Sequence, residues 1–329
     1  MPTHFDLGRA TAEIGDQILI QGGQVILVKS HAIFQIGSQG SIALPDIKTE
    51  VCAAVSMNGE FSVFCTGNEM SNLTTLYVCS RTRKFISLTE NENIDHITKV
   101  WISNDGKIII AGTSTGRIRT FTVDVEGGFI TSKINYISGC KDISFLQVKE
   151  IDPNIINIES CDSFGLLLSF NLLQRTSFQL LATTNVPDQF TPFFVDGEMI
   201  VFEHLNHYQQ NLLRTEDNPI MTTGVLLRFE DIEKDDAMRT MVKFNIPGED
   251  QELLITLTKG GWIRLWKTIN KKPGLLLLPD CFRLPDNDYP IYMTMGIEET
   301  GKELLYVLGP RKVYCYTVEE LLTISQITG

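Results

Sequence analysis

Residues 112–116 read Gly-Thr-Ser-Thr-Gly, the letters of a G-x-S-x-G nucleophile elbow. That chemistry needs its serine on a sharp strand-to-helix turn, with an acid and a histidine later in the chain. Gly116 leads instead into Arg117-Ile118-Arg119-Thr120-Phe121, an alternating strand pattern with no helical period. The glycines are therefore expected to make a hairpin turn, and Ser114 is not expected to act as a nucleophile. Glu203, His204 and His207 form E-H-x-x-H, which suits a metal only where a helix sets both imidazoles on one face. No helical pattern surrounds them, so a polar loop is expected. Gly22-Gly23 and the Gly-Ser-Gln-Gly at 37–40 lack the Lys-Ser/Thr and subsequent helix of a phosphate loop. Asn72-Leu73-Thr74 is a glycosylation sequon by its letters, with no sign of secretion around it. No catalytic residue, no metal and no cofactor is expected.

Charge narrows the partners. The net charge is -12 and the pI is near 4.9, so the whole-molecule field repels a phosphate backbone. Arg81, Arg83 and Lys84 are the one compact basic cluster, too small to serve as a nucleic-acid footprint. Direct nucleic-acid binding is not expected, and net charge alone favours a basic protein or peptide. The acidic run at 230–236, Glu-Asp-Ile-Glu-Lys-Asp-Asp, reads as a solvated loop. The composition, 43% hydrophobic and 21% charged, is that of a globular chain. No apolar run reaches the length of a membrane span, and the first residues lack the basic and apolar regions of a secretory signal. Seven cysteines lie scattered without a C-x-x-C pair, mostly in apolar runs. They are expected to be reduced thiols of an intracellular protein of cytoplasm or nucleus.

The elements that would carry these residues are short strands. Turns at Gly22-Gly23, Asn58-Gly59, Asp105-Gly106, Pro153-Asn154, Asp196-Gly197, Pro247-Gly248 and Thr300-Gly301 each separate two apolar or alternating runs rich in Val, Ile, Thr and aromatics. Their spacing of roughly 36 to 53 residues brackets that of propeller blades. Residues 231–238 and 318–322 could make a helical turn or so, and little more. A chain of many short strands must remove its edges by closure or radial repetition. The expectation is an all-β, seven-bladed β-propeller of four-stranded antiparallel blades, forming one domain. The blades fall near 8–46, 47–94, 95–138, 139–184, 185–236, 237–284 and 285–329, with 214–236 an elaboration of the fifth. Either 1–7 or 322–329 could close the ring.

The stretch from His96 to Asp124, HITKVWISNDGKIIIAGTSTGRIRTFTVD, resembles one blade of a WD40-repeat propeller. A second copy, LITLTKGGWIRLWKT, runs from Leu254 to Thr268, with Trp266 where the family carries its signature tryptophan. In the first copy Thr113 or Ser114 stands for the family's buried Ser/Thr, Thr115 for its Asp and Phe121 for its Trp. The second has Thr258, Gly260 and Trp266 at those places. The other five blades keep turns and alternation only. The resemblance implies that partners bind the loops joining second to third strands and outer to next inner strands. On those loops it nominates Trp262, Arg117 and Phe164 as protein contacts, since aromatics and arginine carry most interface hot spots. The implied role is a non-catalytic scaffold subunit of a multiprotein complex. The alternatives are an accessory subunit of a nucleic-acid- or protein-modifying enzyme, or an acidic carrier of a basic protein.

Overall fold

The computed structural model describes residues 3–8, 11–29, 32–36, 41–43, 52–68, 73–80, 85–89, 96–124, 129–137, 141–164, 166–185, 190–195, 198–203, 225–227, 238–245, 252–258, 260–269, 272–285, 288–298 and 300–327. Strand β1 (Thr3–Asp6) precedes a first sheet of β2 (Gln17–Gln21), β3 (Gln24–Val28), β4 (Ala32–Gln35) and β5 (Ser41–Ala43). The second holds β6 (Cys52–Val55), β7 (Phe61–Asn68), β8 (Leu73–Ser80) and β9 (Phe85–Thr89). The third holds β10 (Ile97–Ile102), β11 (Ile108–Thr113), β12 (Arg117–Asp124) and β13 (Phe129–Ile137). The fourth holds β14 (Ile143–Asp152), β15 (Ile155–Asp162), β16 (Leu166–Leu173) and β17 (Ser177–Asn185). Three strands of the fifth are described, β18 (Phe190–Val195), β19 (Glu198–Glu203) and β20 (Val225–Leu227). The sixth holds β21 (Met238–Asn245), β22 (Glu252–Thr258), β23 (Ile263–Ile269) and β24 (Lys272–Phe282). The seventh holds β25 (Tyr292–Ile297), β26 (Glu303–Leu308) and β27 (Lys312–Tyr316), and helix α1 (Val318–Ile327) comes after it.

The pairings within the second, third, fourth, sixth and seventh sheets are antiparallel, whereas β19 and β20 of the fifth run parallel, from Ile200↔Val225 to Phe202↔Leu227. That short strand lies inside the segment read as an elaboration of the fifth blade. His204, His207, the acidic run at 230–236, the basic trio Arg81, Arg83 and Lys84, and the glycines of 37–40 lie outside the described residues. The helical turn expected at 231–238 falls outside them too, apart from Met238, which begins β21.

The chain divides into two compact units. In the unit of residues 30–32 and 43–192, neighbouring sheets interlock through their apolar faces. Val63, Leu76, Ile109, Ala111 and Phe121 form one core, and Ile108, Ile110, Ile143, Ile158 and Phe170 form the next. Strand β11 is buried at every residue, which is why its sequence is a continuous small and apolar run and not an alternating one. In the unit of residues 1–29, 33–42 and 193–329, Leu253, Leu265, Val307, Tyr314 and Leu321 form one core, and Ile18, Leu27, Tyr306 and Cys315 another.

The turns repeat one device. Ser103 donates to Asp105 Oδ1 at 2.6 Å and accepts from the Ile108 N–H at 2.9 Å, while Gly106 takes φ 68°. Ser56, Asn58, Gly59 and Phe61 reproduce it one sheet earlier, with Ser56 Oγ to Asn58 Oδ1 at 2.7 Å. These turns also lace sheet to sheet. Asn58 donates to the Asn104 side-chain and backbone oxygens, and Asn104 donates twice to the Glu150 carboxylate at 3.0 Å. At the β16–β17 hairpin, Gln174 and Arg175 both take left-handed φ, 48° and 60°, where Asn-Gly is usual. Arg175 is held there by Asp105 at 2.9 Å and by the Pro153 carbonyl at 3.2 Å.

The terminal expectations separate. Strand β1 pairs antiparallel with β27, from Thr3↔Cys315 to Asp6↔Lys312, so the N-terminal segment completes the seventh sheet. The C-terminal residues do not supply a strand: 318–327 form a ten-residue helix where at most a turn was expected. Its start is a reciprocal capping box, Thr317 Oγ1 accepting from the Glu320 N–H and Glu320 Oε2 from the Thr317 N–H, each at 3.1 Å. Val318 and Leu321 then bury in the core beside Tyr316.

Candidate functional site

Arg117 heads the third strand β12, Trp262 immediately precedes β23 and Phe164 lies in the turn two residues before β16, and these turns share one rule. The last residue of the second strand accepts a hydrogen bond from the backbone N–H four residues on. Thr113 Oγ1 takes Arg117 N–H at 3.1 Å, Asp162 Oδ1 takes Leu166 N–H at 2.9 Å, and Thr258 Oγ1 takes Trp262 N–H at 3.1 Å. Asp162 Oδ1 also takes the Phe164 N–H at 3.0 Å. The pattern is Thr/Asp-x-x-Gly-x in all three places. Gly116 and Gly261 fill the fourth position with φ 76° and 83°, a conformation that a Cβ would strain.

Arg117 is exposed at the head of β12. Phe164 is 53% exposed, with Lys141 Nζ 4.3 Å from its ring centroid. Trp262 is half-buried, with Arg283 Cζ 4.1 Å from its ring centroid and Tyr289 beside the adjoining turn. Lys141 precedes β14 and Arg283 comes just after β24, so each cation sits in a loop leading into a first strand. A cation held over a ring contributes about 0.5–1 kcal/mol at an exposed site and fixes the ring's pose. Neither cation was nominated from sequence, because each lies more than 20 residues from its ring. Arg117 and Phe164 belong to one compact unit and Trp262 to the other.

The WD40-like polar set is reassigned by the geometry. Trp266 Nε1 donates to Thr256 Oγ1 at 3.0 Å in a buried setting, so Thr256, two residues before the expected Thr258, is its partner. In the fourth sheet Ser160 occupies the same register position, opposite Leu168 as Thr256 is opposite Arg264. Phe170 there replaces the tryptophan and has no N–H to offer, and Ser160 Oγ is buried without a hydrogen-bond partner.

The G-x-S-x-G run is a hairpin, with Ser114 N–H bonded to the His96 carbonyl at 2.8 Å and strand β12 next in the chain. Among the described residues no group of three His, Cys, Asp or Glu could hold a metal ion, and no helix is long and apolar enough to cross a membrane. Cys52, Cys65, Cys79, Cys161 and Cys315 are buried thiols outside any disulfide. Burial pushes the Cys161 thiol up to about 12, with Asp162 adding to it, so it is not a ready nucleophile.

Glu159, on β15, carries the clearest pH signal. Burial pushes its carboxyl from the ordinary 4.5 up to about 7, with Lys149 pulling the other way. The folded state therefore binds this proton more tightly than the unfolded state, and stability falls as pH rises from about 4.5 to 7. Glu159→Gln should match wild type at pH 5 and exceed it by about 1–2 kcal/mol at pH 8, after allowance for solvent screening. Urea unfolding at both pH values measures this, and an equal difference at the two would overturn it.

No protein-family model matches the chain, and no curated relative matches it. Solved structures do. A structure of BBS1N in complex with ARL6DN aligns with TM-score 0.60 and 14% identity, over 95% of this chain and 96% of that one. The WD40 repeats of RRP9 align with TM-score 0.58 and 9% identity, over 95% and 98%. Virginiamycin B lyase from Staphylococcus aureus aligns with TM-score 0.57 and 10% identity, over 97% and 99%. At such identities the likeness establishes the fold. The chain is an all-β protein with the fold of WD40-like β-propellers, a fold that binding proteins and at least one lyase share.

Proposed function

We propose that this chain is a non-catalytic interaction platform, a subunit that holds protein partners on the loops between second and third strands. The observation that carries the reading is the pose of Phe164 and Trp262. Both are accessible aromatics at turn exits, each pinned by a backbone hydrogen bond and covered on one face by a cation. Rigid aromatics bind with little loss of side-chain freedom, which suits them to interface anchoring. Burial on folding alone would have hidden Phe164, yet it stays more than half exposed. The BBS1N relative is seen with another protein, ARL6DN, bound to it, which supports the reading by analogy of fold.

Trp262→Ala and Arg117→Glu should each weaken the affinity of co-purifying partners by about tenfold or more, the loss typical of a hot spot. The melting curve should stay cooperative in both variants. Quantitative affinity purification against wild type measures the effect. If every partner stays bound in both variants, these loops are not the interface.

A further inference from the structure

We infer that Asn58 is a covalent modification site: it deamidates when its turn opens, and the product weakens the tie between the second and third sheets. Asn58-Gly59 is the one Asn-Gly pair in the chain. Asparagine is among the thermally labile residues, and a following glycine has no Cβ to hinder the approach of its nitrogen. The Gly59 backbone nitrogen gives its proton to a solvent base and attacks Asn58 Cγ. The Cγ–Nδ2 bond breaks, and the nitrogen leaves as ammonia after taking up a proton. Water then opens the five-membered imide at either carbonyl, giving aspartate or isoaspartate. The net change is a side-chain amide and one water for a carboxylate and an ammonium ion, without oxidation or reduction.

The folded turn engages each reacting group. Gly59 N–H donates to the Ser56 carbonyl at 2.8 Å, with Gly59 at φ 70°. Asn58 Oδ1 accepts from Ser56 Oγ at 2.7 Å and from the Glu60 N–H at 3.1 Å. Asn58 Nδ2 donates to the Asn104 carbonyl at 2.8 Å. Asn58 is exposed, so water and base reach it, but imide closure consumes the Gly59 N–H and expels Nδ2. Both of those bonds must break first, so the rate follows local opening of the turn. The next sheet shows how the product sits. Asp105 Oδ1 takes the Ser103 hydroxyl at 2.6 Å and the Lys107 N–H at 3.0 Å, matching the Ser56 and Glu60 bonds of Asn58. An aspartate at 58 therefore keeps its own turn. It has no N–H for the Asn104 carbonyl and sets a carboxylate oxygen against that oxygen instead. Isoaspartate also lengthens the main chain by one carbon.

Peptide mapping by mass spectrometry tests this on the full chain, incubated at mildly alkaline pH either folded or in urea. Asn58 should convert more slowly in the folded chain by about tenfold or more. Ser56→Ala removes a donor to Oδ1 and should raise the folded-state rate, with a circular-dichroism melt showing the variant folded. Asn58→Asp, the product made directly, should unfold at a lower urea midpoint than wild type. Equal rates in the two states, no conversion in urea, or a Ser56→Ala rate equal to wild type would overturn the site and its protection. A wild-type midpoint in Asn58→Asp would overturn the effect on the sheets.

Discussion

Gly112→Val is expected to abolish cooperative folding, or to leave only a weakly stable state. A Cβ at this position would lie 2.6 Å from Ile143 Cγ2 and 2.7 Å from Ile143 Cβ, closer than real side chains approach. The requirement is for space: Gly112 is not among the residues with left-handed φ, so no backbone conformation demands glycine. Relief by sliding is blocked, because Thr98 Oγ1 bonds both the Ile143 carbonyl at 2.6 Å and the Gly112 carbonyl at 3.3 Å. Overpacking a tight core costs about 1–3 kcal/mol or more for a small addition, and valine adds three carbons to a stability of about 5–15 kcal/mol. Gly112→Ala should fold with a lowered urea midpoint. Ile143→Ala should rescue Gly112→Ala in part, since it removes Cγ2 and Cγ1 from the contact but leaves the Ile143 Cβ. A valine variant that melts like wild type would show that the two sheets do not approach this closely. The glycine that looked catalytic by its letters is thus held to its type by packing between sheets.

That contrast shows what was legible in the chain. Turns were readable because their chemistry is local: Ser103 to Ile108 carries its own hydrogen bonds and its own left-handed glycine. Strand type and order came from alternation and spacing, which are local signals as well. Pairing partners were not readable. Thr256 and Thr258 lie on the same face of β22, so strand parity could not choose between them for Trp266, and only the register of β22 against β23 does. The same limit hid Lys141 and Arg283, whose rings lie in loops remote in sequence. The helix at 318–327 is a different kind of miss. Thr317-Val318-Glu319-Glu320 is a capping box in plain letters, but the weakly amphipathic Leu-Leu-Thr-Ile run after it also suits a strand.

The partner of the N-terminal strand was undecidable for a related reason: Thr-His-Phe-Asp is too short to specify it, and the structure pairs it with β27. Removing residues 1–8 should therefore destabilise the chain by about 5 kcal/mol or more. The loss combines several ladder hydrogen bonds at about 0.5–1.5 kcal/mol each with the burial of Leu7 at about 1.5–3 kcal/mol. Leu7 is 6% exposed within the core of Ile20, Tyr306 and Val313, and its N–H bonds the Arg311 carbonyl at 2.9 Å. The segment after it is tied down independently. Ala12 N–H bonds the Pro310 carbonyl, and Lys29 pairs with Asp16 at 3.0 Å, both side chains 9% exposed. Lys29 Nζ also donates to the Thr11 carbonyl, so Lys29→Ala would take the ion pair from the buried Asp16 carboxylate, leaving it the Glu13 N–H at 2.8 Å, and remove the donor from that carbonyl. Such breakage costs about 3–5 kcal/mol. If β1 and the Lys29 clasp hold the same strap, the two losses should fall short of additive when combined, because a strap already released cannot be released again. Urea unfolding of the truncated chain, the Lys29→Ala variant and the pair closes that cycle. Full additivity would mean that the strand and the clasp act on separate parts of the fold, and an unchanged midpoint on truncation would mean that β1 does not hold the seventh sheet.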